Sequence, residues 1–293
     1  MRRVERDVRW RGRAPRGSAT HQPAVTTGSL NRMTAVFAAA GLLAALAGCS
    51  GSGAPSEGQS ADQTGSAPPA GELLVFAAAS LSSTFTEIGE RFEASHPGSA
   101  VEFNFAGSTD LVAQLQQGAP ADVFASADAS TMDRAASDDL LSGTPTVFAT
   151  NTMMIAVPPD NPAGIAGFAD LARPGVQVVV CAPEVPCGSA TQRVEANTGV
   201  SLDPVSEESS VTDVLNKGAT GEADAGVVYV TDVQGSAGRV MGIEIPADVN
   251  TVNSYPIAVL AGSAVPGLAQ QFQAMVTGPE GRKVLADAGF GAP

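Results

Sequence analysis

The 293-residue chain is 44% hydrophobic, which is enough to build a full core in one or two domains. Eight of its 16 basic residues but only two of its 30 acidic residues precede Cys49, so the remainder carries a formal charge of −20. So acidic a remainder argues against nucleic acid as a partner and is normal for an exported protein.

Residues 1–48 predict an export signal. The apolar, alanine-rich stretch over residues 34–48 is too short to span a membrane and suits the hydrophobic region of a secretory signal. Residues 46–49 resemble the lipobox of bacterial lipoproteins, which implies cleavage before Cys49 and a lipid on its sulfur. A simple signal peptide or an uncleaved anchor is the alternative, and a start of translation near Met33 stays open.

The first predicted strand covers residues 73–76 and is followed by small residues, by Ser80 and by a helix with apolar residues at helical spacing. At the start of a helix, unpartnered N–H groups and the positive end of the helix dipole favour an anion. This junction therefore predicts an anion site that includes Ser80. The alternative is that Ser80 only caps its helix.

A second junction of the same kind follows. Residues 100–105 predict a strand, and a turn of small residues leads into a helix with Ser108 or Thr109 at its cap. Residues 121–127 predict a third strand. The alternation predicts a parallel sheet with helices on both faces, whose ligands bind at the carboxyl ends of the strands, where Ser80 and Ser108 both lie.

The second half of the chain predicts the same architecture. Its expected elements are an apolar stretch over residues 146–157, strands over residues 175–181, 225–231, 240–245 and 255–260, helices over residues 189–197 and 210–216, and closing helices that begin at Pro266 and Pro279.

Cys181 and Cys187 are an even pair in an exported chain, for which a disulfide is the simplest interpretation. Their spacing does not show that the geometry permits a disulfide, and two reduced thiols are the alternative. A zinc site would need more ligands, and His96 is the only histidine after residue 48.

Catalytic motifs are absent from the sequence. It has no G-x-S-x-G around a serine of the folded part, no phosphate-binding P-loop and no dinucleotide fingerprint. Paired carboxylates such as Asp138 and Asp139 are typical of a solvated surface. We therefore expect a binding protein with no catalytic residue rather than an enzyme.

Five segments, taken together, resemble the periplasmic molybdate-binding proteins of ABC importers. They are FAAASL at residues 76–81, FAGSTDL at 105–111, GAPADVFASAD at 118–128, PEVPCG at 183–188 and GVVY at 226–229. The resemblance covers residues 72–293. It implies an α/β, two-lobed periplasmic-binding-protein fold of type II, in which each lobe is a mostly parallel sheet flanked by helices and a hinge joins the lobes.

The resemblance also implies the contacts of a tetrahedral oxyanion with neutral donors. These are the hydroxyl and N–H groups of Ser80 and Ser108, the N–H groups of Cys187 and Val211, and the hydroxyl of Tyr229. Cys187 stands where the family more usually has alanine, and a disulfide to Cys181 would hold its amide in place. The alternative for Tyr229 is an ordinary strand tyrosine.

The expected organisation is a flexible tether over residues 49–71, one lobe from residues 72–151 and 255–293, and a second lobe from residues 152–254. We expect an extracytoplasmic, lipid-anchored monomer that binds molybdate, and tungstate as a second ligand, and delivers it to an ABC permease. No cofactor and no directly ligated metal are expected. The alternatives are a receptor for sulfate or another small oxyanion and a structural or adhesin lipoprotein.

Overall fold

The computed structural model describes residues 71–293. The predicted signal peptide, the predicted lipidation site Cys49 and the predicted tether, apart from Gly71, lie outside the described residues. None of the helices within residues 71–293 is long and apolar enough to cross a membrane.

Strands and helices alternate along these residues. The strands are β1 (Gly71–Ala78), β2 (Ser99–Ala106), β3 (Val123–Ala125), β4 (Leu141–Val157), β5 (Val178–Cys181), β6 (Ser206–Glu208), β7 (Ala225–Tyr229), β8 (Met241–Glu244) and β9 (Val252–Leu260). The helices are α1 (Ser82–Ser95), α2 (Ser108–Gln116), α3 (Ala129–Ser137), α4 (Pro186–Thr198), α5 (Val211–Thr220), α6 (Val230–Gln234), α7 (Pro266–Thr277) and α8 (Pro279–Asp287). Short 3₁₀ turns lie at Ala79–Leu81 and Phe168–Ala172.

The strands form one mixed sheet with two parts that share β4. The first part has the order β2-β1-β3-β9-β4, with β1 parallel to β2 and β3, and β9 antiparallel to β3 and β4. In the second part, β4 pairs antiparallel with β7 and β8 from Met153 onward, and β5 lies parallel between β7 and β6. The chain therefore passes between the parts twice, along β4 and on its return from β8 to β9.

Helices cover both faces of the first part because apolar residues in β1 alternate between two clusters. Val75 packs on one face with Phe85 of α1, whereas Phe76 packs on the other with Leu111 of α2 and Met132 of α3. All five side chains are at most 4% exposed. Burial of an aliphatic or aromatic side chain stabilises the fold by about 1.5–3 kcal/mol, so the alternation fixes the position of β1 between two helical layers.

The predicted α/β class is confirmed, with differences at the ends of elements. Helix α4 begins at Pro186, three residues earlier than expected, because proline suits the first turn of a helix. The predicted strand over residues 225–231 ends at Tyr229, and α6 begins at the next residue, Val230. The boundaries of the lobes stay a prediction.

Candidate functional site

A cavity of about 10 Å³ lies where the carboxyl ends of strands from both parts of the sheet meet. This is far less than the roughly 300–1,000 Å³ of pockets that bind drug-sized molecules, so the cavity suits only a very small ligand. No charged side chain lines it. The lining residues are Ala78, Ala79, Ser80, Ala106, Gly107, Ser108, Ala127, Val185, Pro186, Cys187, Ser210, Val211 and Tyr229.

The structure brings all five predicted site residues to this cavity. They are Ser80, Ser108, Cys187, Val211 and Tyr229. Tyr229 is the last residue of β7, and the other four lie at or next to the starts of helices. Their contacts with a bound anion stay a prediction.

Four strand-to-helix junctions point at the cavity. Ser80 lies in the 3₁₀ turn between β1 and α1, and Ser108 is the first residue of α2 after β2. Cys187 is the second residue of α4, which follows β5, and Val211 is the first residue of α5, which follows β6. The positive ends of four helix dipoles therefore face one small space, which favours a negative ligand.

The helix starts leave backbone donors available to a ligand. The residues that precede α2 and α4, Gly107 and Val185, make no capping hydrogen bond from a side chain. Because the first N–H groups of a helix have no acceptor within the helix, these groups can bind a ligand instead. Only α5 has a side-chain cap among these junctions, since Ser210 Oγ accepts from the Asp213 N–H.

Neither Ser80 nor Ser108 caps its own helix, so the capping alternative is wrong for both. Ser108 Oγ accepts a hydrogen bond from the Ala127 N–H at 3.1 Å, and Gly107 rather than Ser108 or Thr109 occupies the cap position of α2. With its oxygen engaged in this way, the Ser108 hydroxyl can donate its proton into the cavity.

Tyr229 is 1% exposed, and its hydroxyl accepts a hydrogen bond from Asn253 Nδ2 at 2.9 Å. Burial raises the pKa of Tyr229 well above the usual value for tyrosine, so the phenol keeps its proton at physiological pH. Tyr229 therefore offers a neutral O–H group to the cavity.

Tyr255 belongs to the site although its sequence context did not predict this. Its hydroxyl lies 3.1 Å from Ser80 Oγ, and its ring packs edge to face on the ring of Tyr229. Burial raises the pKa of Tyr255 as well. The only sequence signal was a tyrosine at the start of a predicted apolar strand, which does not indicate a partner 175 residues away.

The cavity has two sides, one formed at the ends of β1, β2 and β3 and the other at the ends of β5, β6 and β7, and close contacts join them. Thr109 Oγ1 donates to the carbonyl oxygen of Glu184 at 2.8 Å. Gly107 has no space for a Cβ atom, which would lie on the carbonyl oxygen of Ser209 and in contact with Val185. The structure therefore has the two sides packed against each other around the cavity.

The Asp232 carboxylate lies behind Tyr229 and accepts a hydrogen bond from the Tyr229 N–H at 2.9 Å. Burial raises the pKa of Asp232 to about 7, and the hydrogen bond opposes this shift only in part. This carboxyl group is therefore partly protonated near neutral pH.

Cys181 and Cys187 form a disulfide with a Cα–Cα distance of 5.6 Å, which confirms the predicted pair. It links the last residue of β5 to the first turn of α4. Gly188 follows it directly, and a Cβ atom there would collide with the Ala182 carbonyl group. The disulfide and the glycine together hold the start of α4 close to the end of β5.

Comparison with known proteins places these features in a family. The family model for bacterial extracellular solute-binding proteins matches residues 73–291. The molybdate-binding protein ModA of Mycobacterium tuberculosis (strain ATCC 25618 / H37Rv) is 54% identical over 252 residues, which are 86% of this chain and 95% of that protein. ModA of Escherichia coli (strain K12) is 27% identical over 230 residues, 75% of this chain and 89% of that protein.

The fold is also similar to that of a solved structure. The structure of the periplasmic molybdate-binding protein of Azotobacter vinelandii aligns with a TM-score of 0.67 and 23% identity, over 75% of this chain and 99% of that one. This similarity confirms the predicted two-lobed periplasmic-binding-protein fold.

Proposed function

The chain belongs to the family of bacterial extracellular solute-binding proteins, and from that membership we propose that it binds molybdate and delivers it to an ABC importer. The extracytoplasmic location follows from the family, and the prediction that the chain is a binding protein and not an enzyme is confirmed.

The observation that carries the proposal is a small cavity with four helix starts, buried hydroxyls and no charged side chain. A permanently ionised dianion can be held by neutral donors if each of its oxygens receives hydrogen bonds. A hydrogen bond to a charged group contributes about 1.5–3 kcal/mol to binding. Micromolar affinity requires about 8 kcal/mol. Five or more such bonds supply this after the costs of desolvation and ordering.

Donors alone also impose selectivity. A protonated oxyanion would direct its own O–H group at another donor, so phosphate, which is partly protonated at neutral pH, should bind poorly. Tungstate has the same charge and tetrahedral shape as molybdate, and we propose it as a second ligand. Sulfate has that charge and shape too but is smaller, so its rejection depends on the size of the cavity.

We further propose that a lipid on Cys49 anchors the protein, which acts as a monomer without a cofactor. The lipobox-like residues 46–49 and the Gly- and Ser-rich tether support this arrangement, because a tethered domain can meet a permease in the same membrane. Replacement of Cys49 by alanine should release the protein from the membrane fraction, as measured by fractionation of cells that express it.

Titration calorimetry with molybdate, tungstate, sulfate and phosphate tests the ligand. Calorimetry is preferable to fluorescence because the only tryptophan, Trp10, lies in the predicted signal peptide. We expect tight binding of molybdate and tungstate and at least hundredfold weaker binding of sulfate and phosphate. Preference for sulfate would indicate a sulfate receptor. A melting temperature that no oxyanion raises would indicate a structural lipoprotein, since a ligand at 100 times Kd stabilises its receptor by about 2.7 kcal/mol.

A further inference from the structure

Asn253, in β9, lies behind the wall of the cavity without lining it and is 2% exposed. Its Nδ2 group has two protons and lies 2.9 Å from the Tyr229 hydroxyl oxygen, 3.1 Å from the Ala127 carbonyl oxygen and 3.4 Å from the Pro186 carbonyl oxygen, so the long contact to Pro186 shares a proton with one of the others. All three acceptors belong to residues that line the cavity. One amide group therefore holds three segments of the wall that are distant in sequence.

Arg193 fixes the orientation of this amide. Its Nη2 group donates to Asn253 Oδ1 at 2.5 Å, and a guanidinium group has no acceptor. The amide oxygen must therefore face Arg193, and the NH₂ group must face Tyr229. The guanidinium is itself held by Thr251 Oγ1 at 2.9 Å from Nε and by Ser189 Oγ at 2.8 Å from Nη1.

The direction of the Tyr229 hydroxyl follows from this chain of donors. An amide NH₂ group can only donate, so the phenol oxygen accepts from Asn253 and its proton must turn elsewhere. The cavity is the space that Tyr229 lines, and an oxyanion there needs a donor.

We propose that Asn253 is a positioning residue, which with Arg193 holds the Tyr229 hydroxyl as a donor to the bound oxyanion. This inference rests on the proposed function. It assigns to Asn253 an effect on anion affinity that passes through Tyr229, although Asn253 does not line the cavity.

A double-mutant cycle measured by calorimetry with molybdate tests the inference. We expect Asn253→Ala and Tyr229→Phe each to weaken binding at least tenfold. The double variant should bind within about threefold of Tyr229→Phe alone, because without the hydroxyl there is no proton to direct. Losses that simply multiply, or an Asn253→Ala variant with wild-type affinity, would overturn the inference.

Two further variants separate positioning from folding. Asn104 of β2 donates to Gln114 Oε1 at 2.9 Å and does not line the cavity, so Asn104→Ala should keep affinity within twofold. Arg193→Leu removes the guanidinium that orients the amide, together with its bonds to Thr251 and Ser189, and leaves Asn253 itself unchanged. Because Arg193 is exposed, this variant tests the inference even if Asn253→Ala does not fold.

We expect Arg193→Leu to weaken molybdate binding at least threefold in the wild-type background and not in the Tyr229→Phe background. Equal losses in both backgrounds, or none in either, would contradict the inference. A wild-type protein that bound no molybdate would instead overturn the proposed function, and this inference with it.

Discussion

Ser108 and Tyr229 present hydroxyl groups whose oxygens already accept a hydrogen bond from the protein. The donors are the Ala127 N–H for Ser108 and Asn253 Nδ2 for Tyr229. Each hydroxyl has one proton, and in both cases the accepted bond leaves that proton for a ligand. At the scale of single residues, the site is therefore organised to donate hydrogen bonds to a ligand.

Ser108→Ala tests this organisation at the simplest position. Loss of a hydrogen bond to a charged ligand should weaken molybdate binding at least tenfold, in line with about 1.5–3 kcal/mol for such a bond. Ser108 is 2% exposed, and the variant also leaves the Ala127 N–H without its acceptor, so the melting temperature of the unliganded protein is the control. Unchanged affinity in a folded variant would refute the assigned contact.

The raised pKa of Asp232 should make the free energy of unfolding depend on pH. Its pKa is about 7 in the folded protein and about 3.9 in an unfolded chain, so the folded state binds the extra proton between these values. The contribution of Asp232 to stability is therefore fully present below about pH 4 and is lost as the pH rises through 7.

Asp232→Asn keeps an acceptor for the Tyr229 N–H and cannot ionise. We expect this variant to exceed the wild type in free energy of unfolding at pH 8 by more than it does at pH 5, as measured by urea denaturation. A difference between the two proteins that does not change with pH would show that Asp232 is not the titrating group.

At the scale of elements, the site depends on how closely helix starts approach one another. Gly107 precedes α2, and its backbone lies against Ser209, which precedes α5 by two residues. Its φ of −57° is open to any residue, so the close approach, and not the conformation, requires glycine here.

Gly107→Ala should therefore hold the two sides of the cavity apart and resist their closure around the anion. We expect at least tenfold weaker molybdate binding, and the melting temperature without ligand is the control for folding. Gly267→Ala is the matched control, because a Cβ atom there meets nothing within 4 Å and its affinity should stay at the wild-type value. Wild-type affinity in the Gly107→Ala variant would mean that the sides need not close to bind.

Loss of the disulfide should affect stability more than affinity. In the chain-entropy model, closure of a loop of this length stabilises the protein by about 2 kcal/mol. Joint replacement of Cys181 and Cys187 by alanine should lower the free energy of unfolding by about that amount. Molybdate affinity should fall less than tenfold, because the site uses the amide of residue 187 and not its sulfur. A hundredfold loss of affinity would show that the disulfide itself positions the amide.

Most strands, helices and strand-to-helix junctions could be predicted from the sequence because the patterns that indicate them are local. The apolar run of β1 and the small residues before Ser80 can be recognised within ten residues, and the resemblance added Val211 and Tyr229. Strand β6, Ser206–Glu208, was missed because it is short and polar. Asn253 and Arg193 were missed for another reason, since the bonds of Asn253 to Tyr229, Arg193 and Ala127 span 24 to 126 residues and no local pattern marks them.

At the scale of the whole molecule, the two parts of the sheet within residues 71–293 meet at β4 and β9, two strands that also support the site. Asn151 of β4 and Asn253 of β9 are directly paired at this crossing, and both are buried. Asn253 reaches Tyr229, and Asn151 Nδ2 reaches Thr231 Oγ1 at 2.8 Å. Through Asn253, a segment about which the lobes would close is therefore connected by a hydrogen bond to Tyr229, a residue that would hold the anion.

We expect the whole protein to hold a doubly negative ligand by uncharged groups alone. A crystal structure with bound molybdate tests this most directly, through the identity of every atom within hydrogen-bond distance of the four oxygens. We predict N–H and O–H donors from Ser80, Ser108, Cys187, Val211 and Tyr229. An arginine or lysine side chain on the anion, or an anion that lies away from Ser80 and Ser108, would contradict it.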